Sequence, residues 1–240
     1  MKERRSRAAA TAAAFTGIML LSACQQFFTT TLAAPLARAS YTIPADLSVA
    51  DASALLEEAL ASGDAEMAAA LVTPLLAAAA AAAEADPASA AYQEAAAALL
   101  DASILASGVG PAMTTLATGL LGGDVSTVTE EQAAAMLSAF DGVSLDDTAE
   151  SALLLLAAYP PADISSEDAY AAGLALLADS YSDAGGSLSN PASLSAEDLT
   201  ALESDPSYLV GLSLLMLGAS IDAASGTPSV LGGLLDGFSL

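Results

Sequence analysis

Apolar residues return at helical spacing along most of the chain. Leu55, Leu56 and Leu60, then Leu71, Leu75 and Leu76, keep the three-and-four interval that gathers side chains on one helical face. Alanine, the strongest helix former, fills much of the remaining space, so local propensity agrees with the pattern. Val, Ile and Thr are scattered, and alternation of apolar and polar positions never lasts beyond a few residues, so no strands are predicted. The spacing predicts an all-α protein, an array or bundle of about eight to ten short helices forming one domain over residues 48–240.

Start and stop signals recur with one chemistry. Ser48, Ser144, Ser165 and Ser195 each stand just before an acidic first turn, Thr129 opens a capping box with Glu130, Glu131 and Gln132, and Asp86, Asp205 and Thr227 are each followed by proline. A side-chain oxygen at such a position accepts an orphan N–H, while acids and proline suit the first turn. Gly63, Gly108, Gly142, Gly185, Gly186 and Gly226 follow apolar stretches and predict left-handed helix stops. Pro74 predicts a kink or division of the helix over about 65–84.

Two stretches carry no charge. Residues 102–123 are interrupted by Gly108, Gly110 and Pro111, which predicts a helix end, a turn and a second short core helix rather than a membrane span. Residues 206–221, PSYLVGLSLLMLGASI, predict a buried helix. Three segments also look alike: 86–104, 165–181 and 205–221 each place a tyrosine (Tyr92, Tyr170, Tyr208) after a cap and a Leu-Leu pair farther on. The tyrosines fall 78 and 38 positions apart, near two units and one unit of about 39, the size range of helical-hairpin repeats. Residues 59–87 resemble a tetratricopeptide unit, with Gly63-Asp64 at the turn, Ala68 as a small packing residue and Asp86-Pro87 as the close. The helix is about two turns too long for that family and its aromatic positions are unfilled. Irregular tetratricopeptide-like hairpins and a plain helical bundle both stand as readings.

The N-terminus follows a different rule. Lys2, Arg4, Arg5 and Arg7 precede an uncharged run from Ala8 to Leu21 that ends in Ile18, Met19, Leu20 and Leu21. A basic segment followed by a short apolar one is the pattern of a secretory signal peptide. Leu21, Ser22, Ala23 and Cys24, the chain's one cysteine, then resemble the lipobox of bacterial lipoproteins. The resemblance implies cleavage of residues 1–23, lipidation of Cys24, a tether over 24–47 containing Phe27 and Phe28, and a place in the cell envelope, facing the periplasm or the exterior. Each buried methylene of an acyl chain contributes about 0.8 kcal/mol, so two or more chains give a stable anchor.

Cleavage there would sharpen the charge imbalance. Residues 1–23 hold four of the five basic residues and one of the 29 acids, leaving 28 acids against Arg38, a formal charge of about −27. With one cysteine no intrachain disulfide can form, and the core must hold the fold. Such a surface repels phosphate, which excludes nucleic acid as a partner. Screening should make stability rise with salt.

The side-chain inventory also excludes most catalysis. Without histidine there is no Ser-His-Asp or Cys-His arrangement, and the one Lys lies in the leader. Zinc and transition-metal sites lack their usual ligands, and no glycine-rich loop ends in lysine. The acidic loop 141–150, with Asp141, Asp146, Asp147 and Glu150, does not match a calcium loop, because its glycine is second and two of its acids are adjacent. Catalytic residues, cofactor and metal are therefore expected to be none. Two functions remain open: a lipid-anchored scaffold that binds a protein partner, basic partners being favoured, or a small-molecule-binding accessory. In its lipobox and helical body the chain resembles lipoproteins that accompany tripartite ATP-independent periplasmic transporters.

Overall fold

Serine and aspartate side chains open the helices in the computed structural model of the protein, which describes residues 43–44, 47–121, 135–226, 229 and 231–232. The chain divides between residues 41 and 42, and every described residue lies in the second unit. Helices joined by turns and short loops make up the described residues, with no strand among them. Among the described residues eight α-helices have defined bounds: α1 Val49–Ser62, α2 Ala65–Ala85, α3 Ala90–Ala106, α4 Val109–Leu121, α5 Asp147–Ala158, α6 Ser166–Asp183, α7 Ala196–Leu202 and α8 Pro206–Ser225. The all-α expectation holds.

The caps explain most of these boundaries. Ser48 accepts from Asp51 N–H at 3.2 Å, and Asp205 accepts from Tyr208 N–H at 2.8 Å. Ser165 with Asp168, and Ser195 with Asp198, form reciprocal capping boxes. Gly63 (φ 68°), Gly108 (φ 73°), Gly185 (φ 78°) and Gly226 (φ 71°) take the left-handed conformation at helix ends.

Four local expectations need correction. Asp86 does not open α3: it closes α2, its carboxylate takes Ala88 N–H at 2.9 Å to make a turn, and Ser89 is the cap. Ser144 yields to Asp146, whose carboxylate accepts from both Thr148 and Ala149 N–H, a stronger charged cap. Neither Gly142 nor Gly186 is among the glycines with positive φ. Of the kink or division expected at Pro74, division does not occur: α2 runs through it as one helix. The missing N–H costs about 3 kcal/mol, and burial of Leu71, Val72 and Leu75 on the turns around it offsets that cost. Thr129 and Thr227 lie outside the described residues.

The core forms around two helices. α3 packs against α1, α2, α4, α5 and α6, while α6 packs against α3, α4, α5 and, most extensively, α8. Every residue of α6 from Ala169 to Ser180 is buried. Alanine and glycine make this segment narrow enough for neighbours to approach from several sides, so a helix without a polar face belongs at the centre. The uncharged run 102–123 divides as expected: α3 ends at Ala106, Gly108 turns the chain, and α4 leaves at 76° to α3. Helices α2 and α8 are long and apolar enough to cross a membrane, but α2 packs on α1 and α3, and α8 on α6.

Helices α6 and α8 run antiparallel: Tyr170 meets Gly218, Gly173 meets Gly211, and Ser180 meets Asp205. A Cβ on Gly173 would lie 2.8 Å from the carbonyl oxygen of Gly211, and one on Gly211 would lie 3.0 Å from that of Gly173. Backbone meets backbone here, and glycine on both sides is what permits it.

Candidate functional site

The alike tyrosines do three different things. Tyr92 is buried and its hydroxyl donates to the carbonyl of Tyr159, joining α3 to the end of α5. Tyr170 is buried and donates to Asp222 Oδ2 at 3.4 Å across the α6–α8 contact. Tyr208 sits edge-on to Tyr181 with ring centroids 6.1 Å apart. All three join elements together, and none of them converges with another on a cleft.

An acidic cleft forms where α5, α6 and the start of α8 meet. It encloses about 220 Å³ and is lined by Glu150, Asp179, Asp183 and Asp205 with Ser180, Ser207 and Leu202 among the other contacts. Each helix supplies part of a carboxylate knot. Asp179 on α6 accepts from Leu145 N–H at 2.8 Å, just before α5 begins. Ser207 on α8 donates to Glu150 Oε1 on α5. Asp205, the cap of α8, also accepts from Ser180 on α6 at 3.2 Å. Burial pushes the Asp179 carboxyl above its ordinary range; the Leu145 N–H opposes that, and the charges of Asp183, Glu150 and Asp205 add to it.

Among the described residues there is no basic side chain to relieve this knot. All five Lys and Arg residues precede residue 39, and the chain has no His. The compensation comes from backbone N–H groups: Leu145 N–H, just before α5, donates to Asp179, and Tyr208 N–H in the first turn of α8 donates to Asp205. Among the described residues no group of three or more Asp, Glu, Cys or His is arranged to hold a metal ion. Asp141 and Asp146 of the acidic loop are engaged locally: Asp141 accepts from the hydroxyls of Ser187 and Ser189, and Asp146 caps α5. A second cleft, about 190 Å³, lies among Val72, Ser107, Ser144 and Asp146. Both are smaller than the roughly 300–1,000 Å³ usual for ligand pockets.

Helix α8 departs from expectation most clearly. Its uncharged sequence predicts a buried helix, yet only one face is buried: Ser207, Gly211, Leu214, Gly218 and Asp222. The opposite face exposes Leu209 (48%), Leu212 (37%) and Met216 (74%). Apolar residues occupy both faces, so the sequence pattern could not separate them.

The lipobox residues Leu21, Ser22, Ala23 and Cys24, and Phe27 and Phe28 of the tether, lie outside the described residues. No protein-family model, curated protein or solved structure matches the chain. What fold and site define is therefore a class: an all-α bundle whose described residues bear acids as their only charged side chains, with one apolar helix face turned outward.

Proposed function

We propose that the protein is a lipid-anchored, extracytoplasmic lipoprotein with a non-catalytic, protein-binding or scaffolding role. The sequence Leu21-Ser22-Ala23-Cys24, placed after a basic segment and an uncharged apolar run, carries this reading. The helical body supports the second half of it. Its charged side chains beyond Arg38 are all carboxylates, and its outward apolar stripe lies on a rigidly packed helix, a combination suited to holding a partner.

The test has two arms. Cys24→Ala is expected to move the protein from the membrane fraction to the soluble fraction, with mass spectrometry of the wild-type N-terminus showing an acylated Cys24. An unmodified thiol, or unchanged membrane retention of the variant, would refute the anchor. Cross-linking of envelopes followed by affinity capture is expected to recover one stoichiometric protein partner. Capture of a small molecule without such a partner would refute the scaffolding role.

A further inference from the structure

From the outer face of α8 we infer a docking site for an amphipathic helix of a partner protein, one with an apolar stripe flanked by Lys or Arg at its ends. The inference rests on the protein-binding reading above and names its surface. Leu209, Leu212 and Met216 stand at intervals of three and four, and the exposed Ala219 and Ala223 continue the same line. The bulky residues thus lie along the first half of the helix and small ones along the second, where another helix can come close. At 20 residues the surface is about 30 Å long, enough for several turns of a second helix.

The stripe asks for no polar partner. The two exposed serines beside it return their hydroxyls to their own helix: Ser213 donates to the carbonyl of Leu209 at 2.9 Å and Ser220 to that of Leu217 at 2.8 Å. A carbon surface of this kind is complementary to another apolar stripe.

Charge selects which stripe. At the N-terminal end the exposed Glu203 stands two residues before the cap Asp205, and the short α7 that leads in carries the exposed Glu197 and Asp198. At the C-terminal end the last turn contains no basic residue to offset the negative end of the helix dipole. The acids outweigh the roughly half-unit positive charge of the helix start, so both ends of the stripe are negative. A second copy of this chain would set negative ends against negative ends in either orientation, and lipid phosphates would meet the same repulsion. Basic residues at both ends of an apolar helix remove the conflict.

The full-length chain in detergent is titrated into a fluorescein-labelled 20-residue helical peptide with leucine at helical spacing and two lysines at each end. Anisotropy is expected to report binding. Met216→Glu should weaken it at least about ten-fold, as should Leu209→Glu, and glutamates in place of the peptide's lysines should do the same. Leu60→Glu, on the exposed surface of α1, should leave it unchanged. Because Met216 is largely exposed, its replacement should leave the circular dichroism spectrum and melting temperature intact. Absence of peptide binding, or equal loss in Met216→Glu and Leu60→Glu, would overturn the assignment. So would self-association in sedimentation velocity, or binding to phosphatidylcholine–phosphatidylglycerol vesicles, that Met216→Glu abolishes. An envelope partner captured equally by wild type and Met216→Glu would overturn the α8 site while leaving the protein-binding reading in place.

Discussion

Replacing Gly173 by alanine tests the α6–α8 contact directly. In an ordinary helix interior the change stabilises by about 0.8–1.0 kcal/mol, because alanine loses less backbone entropy. Here the new Cβ would lie 2.8 Å from the Gly211 carbonyl oxygen and 2.9 Å from Leu215 Cδ2. The leucine can rotate away, but the carbonyl belongs to a helix backbone, so α6 and α8 must separate by some tenths of an ångström. Overpacking of this kind typically costs about 1–3 kcal/mol, which leaves a net destabilisation of up to about 2 kcal/mol. Gly110 in α4 is the control: no atom lies within 4 Å of its Cβ position, and Gly110→Ala should stabilise by a few tenths to about 1 kcal/mol. Gly211→Ala should resemble Gly173→Ala, and the double variant should cost less than the two singles together, since one separation accommodates both methyl groups. Equilibrium urea unfolding is the appropriate assay, because urea leaves the ionic strength unchanged. Equal stabilisation by Gly173→Ala and Gly110→Ala would refute the backbone contact as a determinant of this packing.

Two further predictions concern the carboxylates. The folded-state pKa of Asp179 lies above the ordinary aspartate value of 3.8, so folding binds its proton more tightly and stability should rise as pH falls from 7 toward 4. For Asp222 burial acts upward, but donors from Ser229, Ser166 and Tyr170 outweigh it and hold the carboxyl low. Its contribution is present above 3.8 and is lost as pH falls through its lower folded value, so the melting temperature should turn downward below about pH 3.8. A flat profile from pH 7 to 4 would count against the crowding of Asp179, and added salt at pH 7 should act in the same direction as mild acid. Asp179→Asn keeps an oxygen for Leu145 N–H while removing a charge, and should raise the pH 7 melting temperature. Asp179→Ala strands that N–H and should cost about 1–3 kcal/mol in urea unfolding. The same response from both variants would show that charge and hydrogen bond are not separable in the way argued.

Where a boundary depends on a side chain and a nearby backbone N–H, it is legible. Ser48, Ser165, Ser195 and Asp205 cap helices as their spacing predicts, and Gly63, Gly108, Gly185 and Gly226 end segments as expected. Where two local solutions compete within a few residues, position alone misleads: Ser89 and Asp146 take the caps expected of Asp86 and Ser144. Pro74 does not divide α2 because its penalty is local while the compensating burial is tertiary. The acidic cleft was legible only as composition, since Glu150, Asp179 and Asp205 belong to different helices and meet through packing.

The sequence by itself determined that the described body is helical, that helices begin at particular serines and aspartates, and that no cation from residue 39 onward can neutralise its acids. Those follow from interactions within a turn or from a count of side chains. Only the tertiary structure decided that α6 lies at the centre, that three helices bring carboxylates into one cleft, and that α8 turns glycines inward and Leu209, Leu212 and Met216 outward. On a helix apolar all round, periodicity carries no direction. The close backbone approach at Gly173 and Gly211 supplies it, because only small residues let two helices meet there.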